Sequence, residues 1–218
     1  MITSALHWAG AHAPALLSLG VPAAQDPQKP DQHWQLPVKA SSFATEHDQL
    51  YTFVEWINYV FFFGIMAVLF YSVVRYRRRR EDQPPASTST HNTAMEVTWT
   101  VIPLIVVMVI FALGWKGYAE MSLAPGDSLQ FEVSARRWEW SFKHPGHDEF
   151  YTRELWVPVN RPCQLTMSSR DVLHSFYIPA FRVKRDVLPG RYQTLWFKPT
   201  MVGDYHIFCT EYCGDQHS

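Results

Sequence analysis

Two long runs almost free of charge constrain this chain more than anything else in it. The first extends from Phe53 to Val74 around Val60-Phe61-Phe62-Phe63-Gly64-Ile65-Met66-Ala67-Val68-Leu69-Phe70, with Glu55 and Asn58 its strongly polar members near one end. The second, Val97 to Tyr118, carries Ile102-Pro103-Leu104-Ile105-Val106-Val107-Met108-Val109-Ile110-Phe111. Each is long enough to cross ~30 Å of hydrocarbon as a helix. The core helix of a water-soluble protein can be equally apolar, so the flanks decide. Arg75, Arg77, Arg78, Arg79 and Arg80 close the first run, and a basic cluster at the end of a span marks the cytoplasmic side. Trp99, Trp115 and Tyr118 stand near the ends of the second, where aromatic side chains settle at the lipid–water boundary. The reading is a transmembrane hairpin in residues 49–118, with spans at about 53–74 and 97–118 and with the N-terminus and everything after Tyr118 outside the cytoplasm.

Residues 1–48 divide into an apolar Ala/Leu-rich segment, about Ala5 to Ala24, and a Pro/Gln/Asp/Lys-rich stretch from Gln25 to His47. Val21 and Ala23 are small enough for a signal-peptidase site, yet no Lys or Arg precedes the apolar segment, so a surface segment is expected in place of a signal peptide. The polar stretch is too poor in apolar side chains to fold alone and reads as an extended arm. Glu81 to Thr93 is a polar linker between the spans. A formal net charge of -1 speaks against a nucleic-acid partner.

After Tyr118 the hydrophobic period changes from that of a helix to that of a strand. Leu129, Phe131 and Val133 alternate with Gln130, Glu132 and Ser134; Trp138, Trp140 and Phe142 alternate with Glu139, Ser141 and Lys143. Further strands are expected at Glu154–Val157, Gln164–Ser168, Tyr192–Phe197 and Asp204–Phe208, punctuated by Pro158, Pro162, Pro189-Gly190, Pro199 and Gly203. Many short strands with regular turn signals imply an antiparallel sandwich or barrel. Residues 119–218 are therefore expected to form an all-β outer domain.

The end of the chain reads Cys209-Thr210-Glu211-Tyr212-Cys213-Gly214-Asp215-Gln216-His217. Two thiols and an imidazole at four-residue intervals can converge on a metal, Gly214 permitting a tight turn. Thiolate and imidazole suit copper and zinc alike, so a structural zinc site stays open, as does a Cys209–Cys213 disulfide. Upstream, Asp171-Val172-Leu173-His174-Ser175 offers a second histidine at the start of a strand. A ligand on one strand and several on a later loop is how a β-sandwich assembles a copper site. The third cysteine, Cys163, lies in a strand-like run and is expected in the core.

The motifs Glu96-Val97-Thr98-Trp99-Thr100-Val101-Ile102-Pro103, Arg137-Trp138-Glu139-Trp140-Ser141-Phe142, Asp171-Val172-Leu173-His174-Ser175, Asp186-Val187-Leu188-Pro189-Gly190-Arg191 and the terminal Cys/His loop occur in this order. Together they resemble cytochrome c oxidase subunit II across the hairpin and the whole outer domain. The resemblance implies a membrane-anchored all-β chain, a two-helix hairpin followed by a cupredoxin-like Greek-key β-sandwich carrying the two-copper centre CuA. In such a centre Cys209 and Cys213 bridge both metals, His174 and His217 bind one each, and the carbonyl of Glu211 is a weak ligand. The same resemblance gives Trp138 as the point where electrons arrive from a cytochrome c, although alternation alone would equally make it a core aromatic. It gives the Glu211 carboxylate as a ligand to a magnesium ion shared with the catalytic subunit, for which oxygen donors are suited. Glu96 becomes the mouth of a proton path, although at a helix start it would also serve as a cap.

Further implied partners are the haem-bearing subunit I, subunit III, and a cytochrome c donor, soluble or tethered, in a bacterial plasma membrane or mitochondrial inner membrane. Haem and oxygen reduction belong to the partner. The family pattern also places a methionine three residues after His217, beyond Ser218, and the expectation is that the natural protein continues. A quinol-oxidase relative would lack copper, which the intact Cys209, Cys213, His174 and His217 oppose; the related domain of nitrous oxide reductase would not need the hairpin. A zinc-stabilised membrane protein is separated from a copper one by metal analysis. His144, His147 and His206 are not expected to bind metal, the first two being read as solvated. Arg136 and Arg137 precede Trp138 and are expected to disfavour a lysine-rich donor, unless carboxylates such as Glu139 neutralise them.

Overall fold

The computed structural model describes residues 35–80, 84, 87, 89–149 and 153–214. The apolar segment Ala5–Ala24 and the candidate ligand His217 lie outside them. Two units are present, one of residues 48–117, the other of residues 118–218 together with the described residues up to His47.

The first unit is helical. Helix α1 spans Ala44–Arg75 and α2 spans Thr93–Ser122; α1 begins nine residues before its expected span and ends one after it, while α2 extends four residues at each end. At 1.5 Å per residue, helices of 32 and 30 residues reach about 48 and 45 Å, more than a bilayer's ~30 Å core, so their polar ends emerge from it. Side chains such as Phe62, Phe63, Ile65, Leu104 and Phe111 are exposed. A helix that is apolar all round is suited to a lipid surround or to partner helices. The start of α2 is fixed by its own side chains: Asn92 Oδ1 accepts from the Met95 N–H at 3.2 Å, and Glu96 Oε1 accepts from the Asn92 N–H at 3.3 Å. This reciprocal cap satisfies two donors that the first turn leaves free.

The second unit is a sandwich of two sheets. Its strands are β1 (Leu129–Arg136), β2 (Glu139–Lys143), β3 (Cys163–Ser169), β4 (His174–Ile178), β5 (Val183–Val187), β6 (Gln193–Phe197) and β7 (Phe208–Cys209). One sheet has the order β2-β1-β3-β6 and the other β5-β4-β7. β1 pairs with β3 in parallel, whereas the other named pairs are antiparallel. The alternation of β1 to β3 carries Phe131, Val133, Phe142, Leu165 and Met167 inward, where they meet Phe176 and Ile178 of β4 and Val183 and Val187 of β5.

Two of the expected strands are corrected. Glu154–Val157 is not a named strand, although Leu155 and Val157 are buried as alternation requires. Its Trp156 N–H donates at 3.0 Å to Nε2 of His144, a side chain taking the place of a neighbouring strand. His144 is accordingly half-buried rather than solvated, and burial lowers its affinity for a proton. In place of Asp204–Phe208 there is only the short β7, where pairing with β4 covers Phe208 and Cys209.

The arm before α1 is part of this sandwich. Ala40 N–H donates to the Ala180 carbonyl, Thr200 N–H to the Ala40 carbonyl and Ser42 N–H to the Lys198 carbonyl, all within 3.0 Å. The buried Arg182, in left-handed backbone conformation at φ 58°, donates through Nη2 to the Pro37 carbonyl and through Nη1 to that of Pro179, each at 2.6 Å. A buried guanidinium keeps its charge and must be given acceptors, and Pro37 supplies one from far away in sequence.

Candidate metal centre

The site forms where β4 begins and β7 ends. His174 is the first residue of β4 and Cys209 the last of β7, and these strands pair in register Phe176 with Cys209, so the two side chains rise from one edge of the small sheet. Cys213 returns on the loop that follows. His174, Cys209 and Cys213 are all buried, and their ligating atoms lie within 4.8 Å of one another. Cys209 Sγ is 3.9 Å from His174 Nδ1 and 3.5 Å from Cys213 Sγ. No disulfide joins Cys209 and Cys213, so that alternative is not formed. The Glu211 carbonyl oxygen stands 3.5 Å from Cys209 Sγ, accepting from the thiol. The Glu211 side chain is exposed, with Oε1 accepting the Tyr212 N–H.

Asp171 sets the histidine. Its Oδ1 is 2.8 Å from His174 Nε2; an ionised carboxylate only accepts, so Nε2 carries the proton and Nδ1 presents its lone pair toward the sulfurs. The same carboxylate accepts the backbone N–H groups of Val172 and Arg137, both at 2.7 Å. Burial pushes the Asp171 pKa upward, but the bonds from His174, Arg137 and Val172 outweigh it and hold the carboxyl well below its usual range. In the sequence Asp171 stands within a motif without an assigned role; its position three residues before a candidate ligand is the available signal.

The thiols behave differently from the carboxylate. Burial pushes Cys213 up to about 12, and the adjacent Cys209 adds to the shift. Burial thus favours the protonated Cys213 thiol, and a soft metal that draws it to the thiolate relieves the arrangement. Two thiols, an imidazole with its lone pair aimed at them and a nearby carbonyl therefore fit copper or another thiophilic ion. Cys163 opens β3, fully buried in the core and pushed up to about 12 by burial, and is not in this group.

Trp138 lies at the turn between β1 and β2, not in a strand. It is 45% exposed, whereas Trp140 is 4% exposed and Phe142 fully buried. Its indole rests on the metal loop: a Cβ added at Gly214 would meet Trp138 Nε1 at 2.7 Å, and Gly214 has a φ of 118°. Glycine is required there on both counts. Trp138 is thus linked to the site twice, through Gly214 beside Cys213 and through the Arg137 N–H bound to Asp171. Glu96, in the helical unit, is the cap already described. His206 is exposed beside Phe208 and outside the cluster.

Residues 150–218 match the model of the cytochrome c oxidase subunit II periplasmic domain, and residues 30–115 match that of its transmembrane domain. The cytochrome c oxidase subunit 2 of Synechocystis sp. is 28% identical over 232 residues, covering 85% of this chain and 70% of the relative. The crystal structure of the periplasmic domain of cytochrome oxidase subunit II from Bradyrhizobium japonicum is 30% identical, covers 44% of this chain and 80% of that one, and has a TM-score of 0.40. A mixed disulfide intermediate between a thioredoxin-like protein and subunit II of cytochrome c oxidase is 31% identical, covering 44% and 79%, with a TM-score of 0.37.

Proposed function

The chain belongs to the cytochrome c oxidase subunit II family, the electron-accepting subunit of a haem-copper oxidase, and from that premise we propose that Cys209, Cys213 and His174 hold a dinuclear copper centre. It is a membrane protein with two spans and a periplasmic domain. His217, outside the described residues, completes the ligand set in this proposal, and the Glu211 carbonyl is a weak donor to it. When bound, such a centre accepts one electron at a time and shares it between two metals, so little rearrangement accompanies transfer.

The chain's own residues prepare that chemistry. Asp171 fixes the His174 tautomer and ring direction. The sandwich buries the thiols and excludes water from them, which strengthens every charge interaction in the site. Trp138, exposed on one side and resting on Gly214 on the other, is the point where electrons pass from a cytochrome c. The partners in this reading are the haem-bearing subunit I, where oxygen is reduced to water and protons are pumped, and subunit III as a further neighbour. The Glu211 carboxylate reaches a magnesium ion at the boundary with subunit I, and Glu96 both caps α2 and opens a proton path. The membrane is a bacterial plasma membrane or a mitochondrial inner membrane, with the N-terminus on the outer side. Before copper arrives, a thioredoxin-like reductant of the kind joined to the relative above keeps Cys209 and Cys213 as a dithiol.

The observation that carries this reading is the buried convergence of both thiols and the imidazole. Replacing Cys209 or Cys213 by Ser in the assembled oxidase should remove the two-copper signal and abolish turnover with cytochrome c, whereas Cys163→Ala should leave the signal intact. Equal loss in all three variants would mean that the cysteines act through folding and would sink the assignment.

A further inference from the structure

The surface around Trp138 is arranged in two layers of opposite charge. Arg136 donates through Nε to Glu139 at 2.9 Å, and Arg153 reaches the other Glu139 oxygen at 3.3 Å. Arg137 binds Asp171 through its backbone N–H and lies 3.6 Å from it through Nε. Counting these groups alone gives three guanidiniums against two carboxylates. Pairing does not make the patch neutral to an approaching protein, because the partners sit at different depths. The side chains of Arg136, Arg137 and Arg153 are 55%, 52% and 63% exposed, whereas Glu139 and Asp171 are 18% and 28% exposed. The carboxylates are also engaged from within: Asp171 by His174 and Val172, Glu139 by Ser141. Glu211, the exposed carboxylate of the metal loop, is assigned above to the boundary with subunit I. What reaches furthest into solvent beside the exposed indole is therefore a cationic collar over a less exposed anionic layer.

We propose that this collar is the docking surface for a soluble c-type cytochrome whose haem edge is ringed by carboxylates. The proposal rests on the reading of Trp138 as the point where electrons enter. A field of one sign around a docking site raises association rates for the opposite sign by up to orders of magnitude at low salt, and loses that advantage as salt screens it. Arginine suits the task, since its planar fork meets a carboxylate through two donors while its stem stays on its own surface. The donor gives one electron from its haem iron to the metal centre and leaves in the oxidised state.

The test uses the purified oxidase containing this chain and two forms of one haem protein: a lysine-rich cytochrome c, and the same protein with its lysines succinylated, so that each cation becomes a carboxylate. Donor oxidation is followed by stopped flow from about 10 mM to about 200 mM salt. Expected is a second-order rate for the succinylated form that falls about 10-fold across this range, with a flat or rising rate for the lysine-rich form. Arg136→Gln with Arg153→Gln should flatten that fall about 3-fold or more, while reduction of the complex by a small uncharged diamine is unaffected. A steep fall for the lysine-rich donor would overturn the proposal, and so would flat profiles for both donors, which would mean apolar or tethered docking. Failure of the small reductant to reduce any copper would instead strike the copper reading itself, and the docking proposal with it.

Discussion

The two units of this protein carry comparable amounts of apolar side chain and dispose of it in opposite ways. In α1 and α2 the large side chains point outward; among the described residues of α2 none is buried. In the sandwich, Phe142, Phe176, Phe181 and Phe197 are fully buried, Phe142 packing on Phe176 and Phe181 on Phe197. A helix satisfies its backbone hydrogen bonds internally and can leave its side chains to lipid or to a partner. A β-strand needs neighbouring strands, and the alternation that pairing imposes creates an inner face that the domain must fill for itself. The cluster of Cys209, Cys213 and His174 lies in the unit that packs itself, where rigidity holds side chains in place; the unit that depends on its surroundings serves as the anchor.

That contrast can be broken most severely in the core. Phe176→Ala should lower the stability of the outer unit by about 3–5 kcal/mol, seen as early loss of the copper absorption on heating, because its ring packs against both Trp140 and Phe142. Phe62→Ala in α1 should shift the same transition by less than about 0.5 kcal/mol. Comparable shifts would mean that the two units do not differ in how they are stabilised.

A smaller effect sharpens the boundary between them. A soluble fragment starting at residue 119 lacks the arm, and with it the acceptor at Pro37 and the backbone bonds through Ala40 and Ser42. It should be less stable to urea by about 2–4 kcal/mol than one in which residues 35–43 are restored through a flexible linker. Identical midpoints would show that the arm contributes nothing to the sandwich. Smaller again is the positioning of His174. Asp171→Ala should weaken copper binding about 10–100-fold in competition with a chelator, with Asp171→Asn recovering part of the loss through its carbonyl oxygen. An unchanged affinity in the alanine variant would remove Asp171 from the account.

How much of this was legible in the sequence follows the same division. Both spans could be read from length, apolarity and the Arg75–Arg80 flank, since a helix in lipid is specified locally. The regular strands were also legible, because alternation survives wherever one face is buried. Glu154–Val157 shows the limit: its inward residues were right, but whether a strand forms depends on a neighbour, and His144 occupies that place. Trp138 shows another, because alternation cannot tell the first residue of a strand from the last of the turn before it. Cys209, Cys213 and His174 were found from spacing and motif order. The role of Asp171, the contact of Trp138 with Gly214 and the docking of Pro37 on Arg182 required the fold, since each joins residues distant in the chain or bends it locally.

As proposed here, the buried cluster of Cys209, Cys213 and His174 is a two-copper electron acceptor. Metal content and paramagnetic resonance of the oxidised complex test it together. Expected are two coppers assigned to this chain, with one unpaired electron whose hyperfine pattern is shared equally by both nuclei and which vanishes on one-electron reduction. A single zinc with no such signal, or a single isolated copper, would contradict it.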